Sequence, residues 1–243
     1  MRVSRTDRNT FAVNMKWVDV ERLVAALSKH LPRLTITANC SDDLMRQFND
    51  IDELKAYSNP NGARIRELSF AARSQDGSAH CDLIFGDRPR RNVRLSLEAD
   101  NSIATELNDF ISNFLDSVRP WYSRIAVADL LNIFLNIVIF YSIGTLVVVF
   151  FYLQARGEKL SWPKEGLPAD AWFEVVGKSF LTAFAPLPIS GALNVLKSRY
   201  FPTATFAFGD GERRDARDEF MRGVVIVGLL VSIVAGVITT VAL

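Results

Sequence analysis

The side chains of this chain that can do chemistry are few, and their spacing scatters them. Two histidines, His30 and His80, and two cysteines, Cys40 and Cys81, are the first candidates for metal or nucleophilic chemistry. His80 and Cys81 are neighbours in a strand-like alternation, so they point to opposite faces and cannot share a metal unless the strand is bulged. His30 stands beside Pro32 at the end of a helical pattern, where a cationic or capping role is the simpler one. Asp42 and Asp43 follow Cys40 and Ser41 and read as a helix start rather than a carboxylate dyad. The chain contains no G-x-x-x-x-G-K-[ST], no G-x-G-x-x-G and no H-E-x-x-H. These residues predict a protein that is not an enzyme, with no catalytic, cofactor-binding or metal-binding residues and no cofactor.

Four arginines make the one concentrated feature of the charged half. Arg88, Arg90, Arg91 and Arg94 crowd the stretch GDRPRRNVR. Read structurally, they are a solvated turn that keeps a sheet edge from aggregating. Read functionally, they contact an anion, either a lipid headgroup or a phosphorylated ligand. A net charge of +1 argues against nucleic acid as a partner. The two cysteines read as buried reduced thiols and not as a disulfide framework.

The elements that would position these groups are legible from periodicity. Phe11, Val13, Met15 and Trp17 alternate with polar or small residues as a half-buried strand, and Val20, Leu23, Val24, Leu27 and Leu31 follow at helical spacing until Pro32. Leu34, Ile36, Ala38 and Cys40 form a second strand, IDELKAY a short helix, and NP and NG at 59–62 a turn. Three strands of a meander come next, centred on Leu68–Ala72, Cys81–Phe85 and Val93–Leu97. A last helix from Asn101 or Ser102 is expected to bury Ile103, Leu107, Phe110, Phe114 and Val118. Residues 1–120 thus predict an α+β domain, an antiparallel-rich sheet with helices on one face.

Residues 121–243 read as an α-helical membrane domain. Asp129 is the only charged residue between Ile125 and Leu153, and Gly223–Leu243 carries no charge, so both stretches are long enough to span a bilayer. Trp121 and Tyr122 fit an aromatic belt. The stretch 172–196 is either an amphipathic helix or a broken third span, with a strand-like and charged linker at 197–222. The third span reconciles a cytosolic front domain, expected from the absence of a signal peptide, with Arg213, Arg214, Arg217 and Arg222 at the start of the last span. Asp129, Asn132 and Asn136 share one helix face, and Gly228, Ser232, Gly236 and Thr240 recur every fourth residue; both seams predict helix packing or the lining of a pore.

The outline is similar to bacterial membrane-tethered sensor or effector proteins. It implies a non-enzymatic, multi-pass inner-membrane protein whose cytosolic domain binds a ligand or partner and whose transmembrane helices self-associate, an effector in bacterial stress or anti-phage defence. The alternative is a membrane anchor or assembly subunit that docks onto another membrane protein and recruits a cytosolic one. The expected partners are membrane lipids and either further copies of the chain or a partner membrane protein.

Overall fold

The computed structural model describes residues 2–87, 92–129 and 186–242, together with 131–133, 135–136, 138–140, 143–144 and 151. The chain divides into two compact units, one made of residues 1–127 and 198–243 and the other of residues 128–197. The first unit is therefore discontinuous in sequence.

Its main layer is a six-stranded antiparallel sheet. In chain order the strands are β1 (Arg2–Asn9), β3 (Arg33–Cys40), β4 (Met45–Phe48), β5 (Ile65–Arg73), β6 (His80–Gly86) and β7 (Val93–Asp100), arranged β1-β7-β6-β5-β3-β4. Alternation decides the faces: Val93, Leu95, Leu97 and Ala99 are buried, while Arg94, Ser96 and Glu98 are half-exposed. Of the front helices α1 (Trp17–His30), the short α2 (Ile51–Ala56) and α3 (Asn101–Ser117), α1 and α3 contact each other and the sheet, α1 at β3 and α3 at β7. Val20, Leu23 and Leu27 of α1 and Leu107, Ile111 and Phe114 of α3 bury against the sheet's apolar face. The buried stripe of α3 includes Ala104, Ile111 and Leu115, with Ile103 and Phe110 only partly covered, so the helix is turned by about one residue from the expected face. Phe70, Phe85 and Phe114 meet edge-on at ring separations of 6.2 and 6.3 Å, tying the sheet to α3.

The expected first strand is real but belongs elsewhere. β2 (Val13–Lys16) pairs in parallel with β8 (Ala204–Ala207) in a separate two-stranded sheet, so the chain's beginning and its last third close on each other. Asn92, 1 % exposed, stitches this junction: its amide donates to the carbonyls of Phe11 and Thr203 and accepts from the Phe11 N–H. Beyond β8 the chain enters α6 (Asp210–Ala242), preceded by α5 (Pro186–Tyr200).

Residues Asp215 and Arg222, two turns apart on one face of α6, form the buried centre of the closure. Arg222 is 2 % exposed; it donates to Asp215 Oδ1 at 2.9 Å and stacks 4.4 Å above the Tyr122 ring. Asp215 Oδ2 accepts from the Asn14 amide of β2 at 2.9 Å. A second latch sits one turn earlier. The Gly209 backbone, at φ +57°, lies against Ser58, whose carbonyl accepts from the Asp210 N–H at 2.8 Å. The buried Asn59 reaches the carbonyls of Phe206 and Phe208, and Arg214 donates to the Asn59 carbonyl.

These contacts correct the membrane reading. Among the described residues no helix is long and apolar enough to cross a membrane. In the stretch expected to be the first span, α4 (Ser123–Val127) ends after one turn and Ala128 and Asp129 are not helical. Tyr122 and Ala126 pack with Ala12 and Phe201 in a small core rather than forming a belt. Within 172–196, the described part is α5, fifteen residues long counting its extension to Tyr200, against the roughly 20 that a bilayer needs. α6 is long, but its first turns carry the charges that dock it, and its contiguous described side chains past Arg222 run only from Gly223 to Gly228. The expected two- or three-span membrane domain and the multi-pass inner-membrane localisation are withdrawn on this finding; the α+β character of the front half stands.

Two stability predictions follow from the closure. Replacing Arg222 by Leu strands Asp215 in the interior and costs about 3–5 kcal/mol in chemical denaturation, while Arg222→Leu with Asp215→Leu recovers much of that loss. A double variant no more stable than the single would count against the pair. At Gly209 an added Cβ would lie 2.4 Å from the Ser58 carbonyl oxygen, whereas at Gly77, also at positive φ, it would meet nothing within 4 Å. Gly77→Ala should cost about 1–2 kcal/mol from backbone conformation alone, and Gly209→Ala clearly more by the same assay.

Candidate functional site

At one end of the sheet, where β3 and β6 finish and β5 begins, lies a cleft of about 470 Å³ lined by Asn39, Cys40, Asp43, Arg64, Arg66, Glu67 and Asp87. Local irregularity makes it. On β5, Ile65 pairs with Cys40 and Glu67 with Asn39, so Arg66 is an extra residue with no partner of its own on β3. Such a bulge bends the strand and re-aims the side chain. Ile65 stays buried, and Arg64 and Arg66 on either side of it are exposed into the cleft. The Ile65 N–H is held by Asn59 Oδ1 at 2.9 Å, so the same asparagine that latches the C-terminal segment also fixes the arginine-bearing turn.

The carboxylates of the cleft are not equivalent. Glu67 is committed, accepting from the Asn39 amide at 2.8 Å and lying 3.5 Å from Arg94. Gly86 makes room for it, since a Cβ there would approach Glu67 Oε2 to 3.0 Å. Asp87 accepts from the Thr203 hydroxyl at 2.8 Å; burial of its carboxyl pushes its pKa above the ordinary range, against the opposing pull of Thr203, Arg64 and Arg66. Asp43 occupies a left-handed turn position at φ +59°. Neither the Arg64 nor the Arg66 guanidinium forms an ion pair or a side-chain hydrogen bond among the described residues.

Beside the cleft, Asp42 and Arg46 form a two-pronged pair at 2.6 and 2.9 Å, and this hydrogen bonding holds the Asp42 carboxyl down to about 2. Residues 41–44 are a turn and not the expected helix start: the Asp43 N–H bonds the Cys40 carbonyl, and Asp42 accepts from the Leu44 N–H. Arg46 lies 5.5 Å over the Tyr57 ring, and the Tyr57 hydroxyl sits 3.7 Å from Cys40 Sγ. Burial, then the contact with Cys40, raises the Tyr57 pKa to about 12.

The other expected residues lie elsewhere. Cys81 is buried on β6, its thiol pushed up to about 12 by burial, with Asp82 adding to the shift. Cys40 and Cys81 are opposite Ile65 and Ala72 of β5, roughly 20 Å apart along the strand and beyond disulfide reach. His80 stands 3.9 Å from Glu98 across the strands, and His30 is 3.2 Å from Glu106 between α1 and α3. Arg94 borders the cleft through Glu67, whereas Arg88, Arg90 and Arg91 lie outside the described residues.

Of the two seams, Asp129 accepts from the Asn132 backbone and side-chain amides at 3.2 and 2.9 Å, and it, Asn132 and Asn136 are exposed. The first two members of that stripe thus bond each other, in a local helix cap. A Cβ added at Gly228 would meet nothing within 4 Å beyond its own helix among the described residues, and Ser232 donates back to the Gly228 carbonyl at 2.8 Å. The surroundings of Gly236 and Thr240 lie outside the described residues. Sequence reasoning missed Arg64 and Arg66; the only signal was two arginines flanking one apolar residue just after a turn.

Asp87 supplies a pH prediction. Its raised pKa means the folded chain holds this proton more tightly than the unfolded one. That contribution is complete below the unfolded pKa of about 3.9 and is lost as pH rises through the folded value. Asp87→Asn keeps an oxygen for Thr203 and removes the proton, so wild type should lose stability relative to it as pH is raised from about 4. Parallel urea-denaturation profiles across that range would contradict the assignment.

Compared with family models, curated proteins and solved structures, the chain matches none.

Proposed function

We propose that this chain is a non-enzymatic binding protein whose ligand is a small polyanion held by Arg64 and Arg66. The observation that carries this reading is the pair of arginines presented by a strand bulge into one cleft, neither with an ion-pair partner among the described residues. A guanidinium offers a planar fork of donors that matches phosphate or carboxylate oxygens, and two of them converging favour an anion with more than one charged group. The acceptors that share the cleft, Asp43 and Asp87, suit hydroxyl or amino groups on the same ligand. A phosphorylated metabolite bearing hydroxyls combines both features.

Binding rather than turnover is supported by what surrounds the cleft. Its one thiol, Cys40, is 3 % exposed and packed against Tyr57, and neither histidine lines the walls. A second concavity of about 550 Å³ beside Trp17 and Phe208 is a weaker candidate: Lys55 lies over the Trp17 ring, and Asp215 is taken by Arg222.

Isothermal titration with inorganic pyrophosphate tests the reading. The full chain should bind with an affinity that weakens as salt is raised. Each of Arg64→Ala and Arg66→Ala should weaken it roughly 10- to 100-fold, while Arg94→Ala, which removes a partner of Glu67, should change it far less. No heat from the wild type, or equal affinity in the double Arg64→Ala, Arg66→Ala variant, would overturn it.

A further inference from the structure

The buried centre of the closure holds more polar atoms than its side chains pair. Tyr122 Oη, Thr205 Oγ1, Arg222 Nε and Asn14 Oδ1 are all shielded from solvent, and none has a hydrogen-bond partner among the described residues. They stand together. Asn14 and Thr205 are opposite each other in the register of β2 and β8. The Asn14 amide and the Arg222 guanidinium each donate at 2.9 Å to one oxygen of the same carboxylate, that of Asp215. The Tyr122 ring centre lies 4.4 Å from the Arg222 guanidinium carbon, and both residues are 2 % exposed. Burial raises the Tyr122 pKa, and Arg222 and Thr205 pull against the rise. Both are therefore close to the phenol, although no direct bond joins its hydroxyl to either.

We infer that this junction binds one internal water molecule, which accepts from Arg222 Nε–H, donates to Asn14 Oδ1 and bridges the Tyr122 and Thr205 hydroxyls. Buried polar atoms in native proteins are nearly always satisfied, so a cluster of four without protein partners marks the place of an ordered molecule. The same four atoms specify its chemistry. Arg222 Nε–H can only donate and Asn14 Oδ1 can only accept, while the two hydroxyls do either. The ligand must therefore both accept and donate. It must also be neutral, because Asp215 and Arg222 already balance each other: an anion would stand against the Asp215 carboxylate and a cation against the Arg222 guanidinium. It must be small, since none of the four atoms reaches solvent. Water, with two donors and two acceptors, meets every condition. Rearrangement of the side chains does not serve instead. Turning the Asn14 amide over would set its oxygen against the Asp215 carboxylate, and Arg222 is held on its other nitrogens by Asp215 and, at 3.4 Å, by the Tyr200 carbonyl. The site shares no residue with the lining of the arginine cleft, so neither depends on the other.

The test is a high-resolution crystal structure of the full chain. A single solvent peak should lie at about 2.7–3.2 Å from Arg222 Nε and from at least two of Asn14 Oδ1, Thr205 Oγ1 and Tyr122 Oη. Magnetic relaxation dispersion of the water oxygen asks the same question in solution. Tyr122→Phe with Thr205→Val leaves Arg222 Nε and Asn14 Oδ1 as the only anchors, fewer than the about three that hold a typical buried water. The dispersion amplitude should therefore fall by the equivalent of one long-lived water in this double variant. If circular dichroism shows that the variant has lost its fold, the crystal structure of the wild type alone decides. Direct bonds among the four side chains with no peak between them, a peak too large for water, or an unchanged dispersion amplitude in the folded variant would overturn the inference.

Discussion

A buried ion pair within α6, Arg222 with Asp215, anchors the last 46 residues on the first 127 through its contacts with Asn14 and the Tyr122 ring. Such a pair adds little net stability over an apolar substitute, because both charges must leave water. What it fixes is register. Asp215 is shared with Asn14 of β2, and Arg222 is sandwiched between Tyr122 and the Tyr200 carbonyl, so α6 can dock in only one rotation and at one height. Any slip carries the pair along as one body and breaks its contacts to Asn14 and to the Tyr122 ring.

The cleft inherits that fixed position. With α6 in place, Gly209 can lie against Ser58, and Asn59 can span from the Phe206 and Phe208 carbonyls to the Ile65 N–H. Asn59 itself sits at φ +50°, a conformation asparagine tolerates better than most residues. Thr203, just before β8, closes the other side by donating to Asp87. Both walls are therefore bonded to residues about 150 and 116 positions away in the chain. A bulged strand end held this way can present two arginines without collapsing onto the nearest carboxylates, which is the condition an anion site requires.

The legibility of the chain follows the range of its interactions. The α1 helix and strands β3, β5, β6 and β7 are written in local alternation, and Pro32 and the NP–NG turn bound them as expected. β1 escaped notice because Arg2, Arg5 and Arg8 break any apolar rhythm on an edge strand that is mostly exposed. The pairing of β2 with β8 joins residues 191 apart in register and leaves no local mark. The apolar stretches read as membrane spans misled for a related reason. Hydropathy counts composition, while the docking of Tyr122, Ala126 and Arg222 onto the front domain is a property of contacts. In the site, the arginine concentration was sensed one hairpin too late: Arg94 touches the cleft's edge, but the bulge that selects Arg64 and Arg66 depends on pairing with Cys40 and Asn39.

Whether the bulge presents its arginines to an anion is decided by following the arginine Nε–H and backbone amide signals of the full chain by NMR as inorganic pyrophosphate is added. Saturable shifts are expected at the Arg64 and Arg66 side chains and at the Ile65 and Asp87 amides, with the exposed arginines of β1 unmoved. Shifts spread evenly over Arg2, Arg5 and Arg8, or none at Arg64 and Arg66, would contradict it.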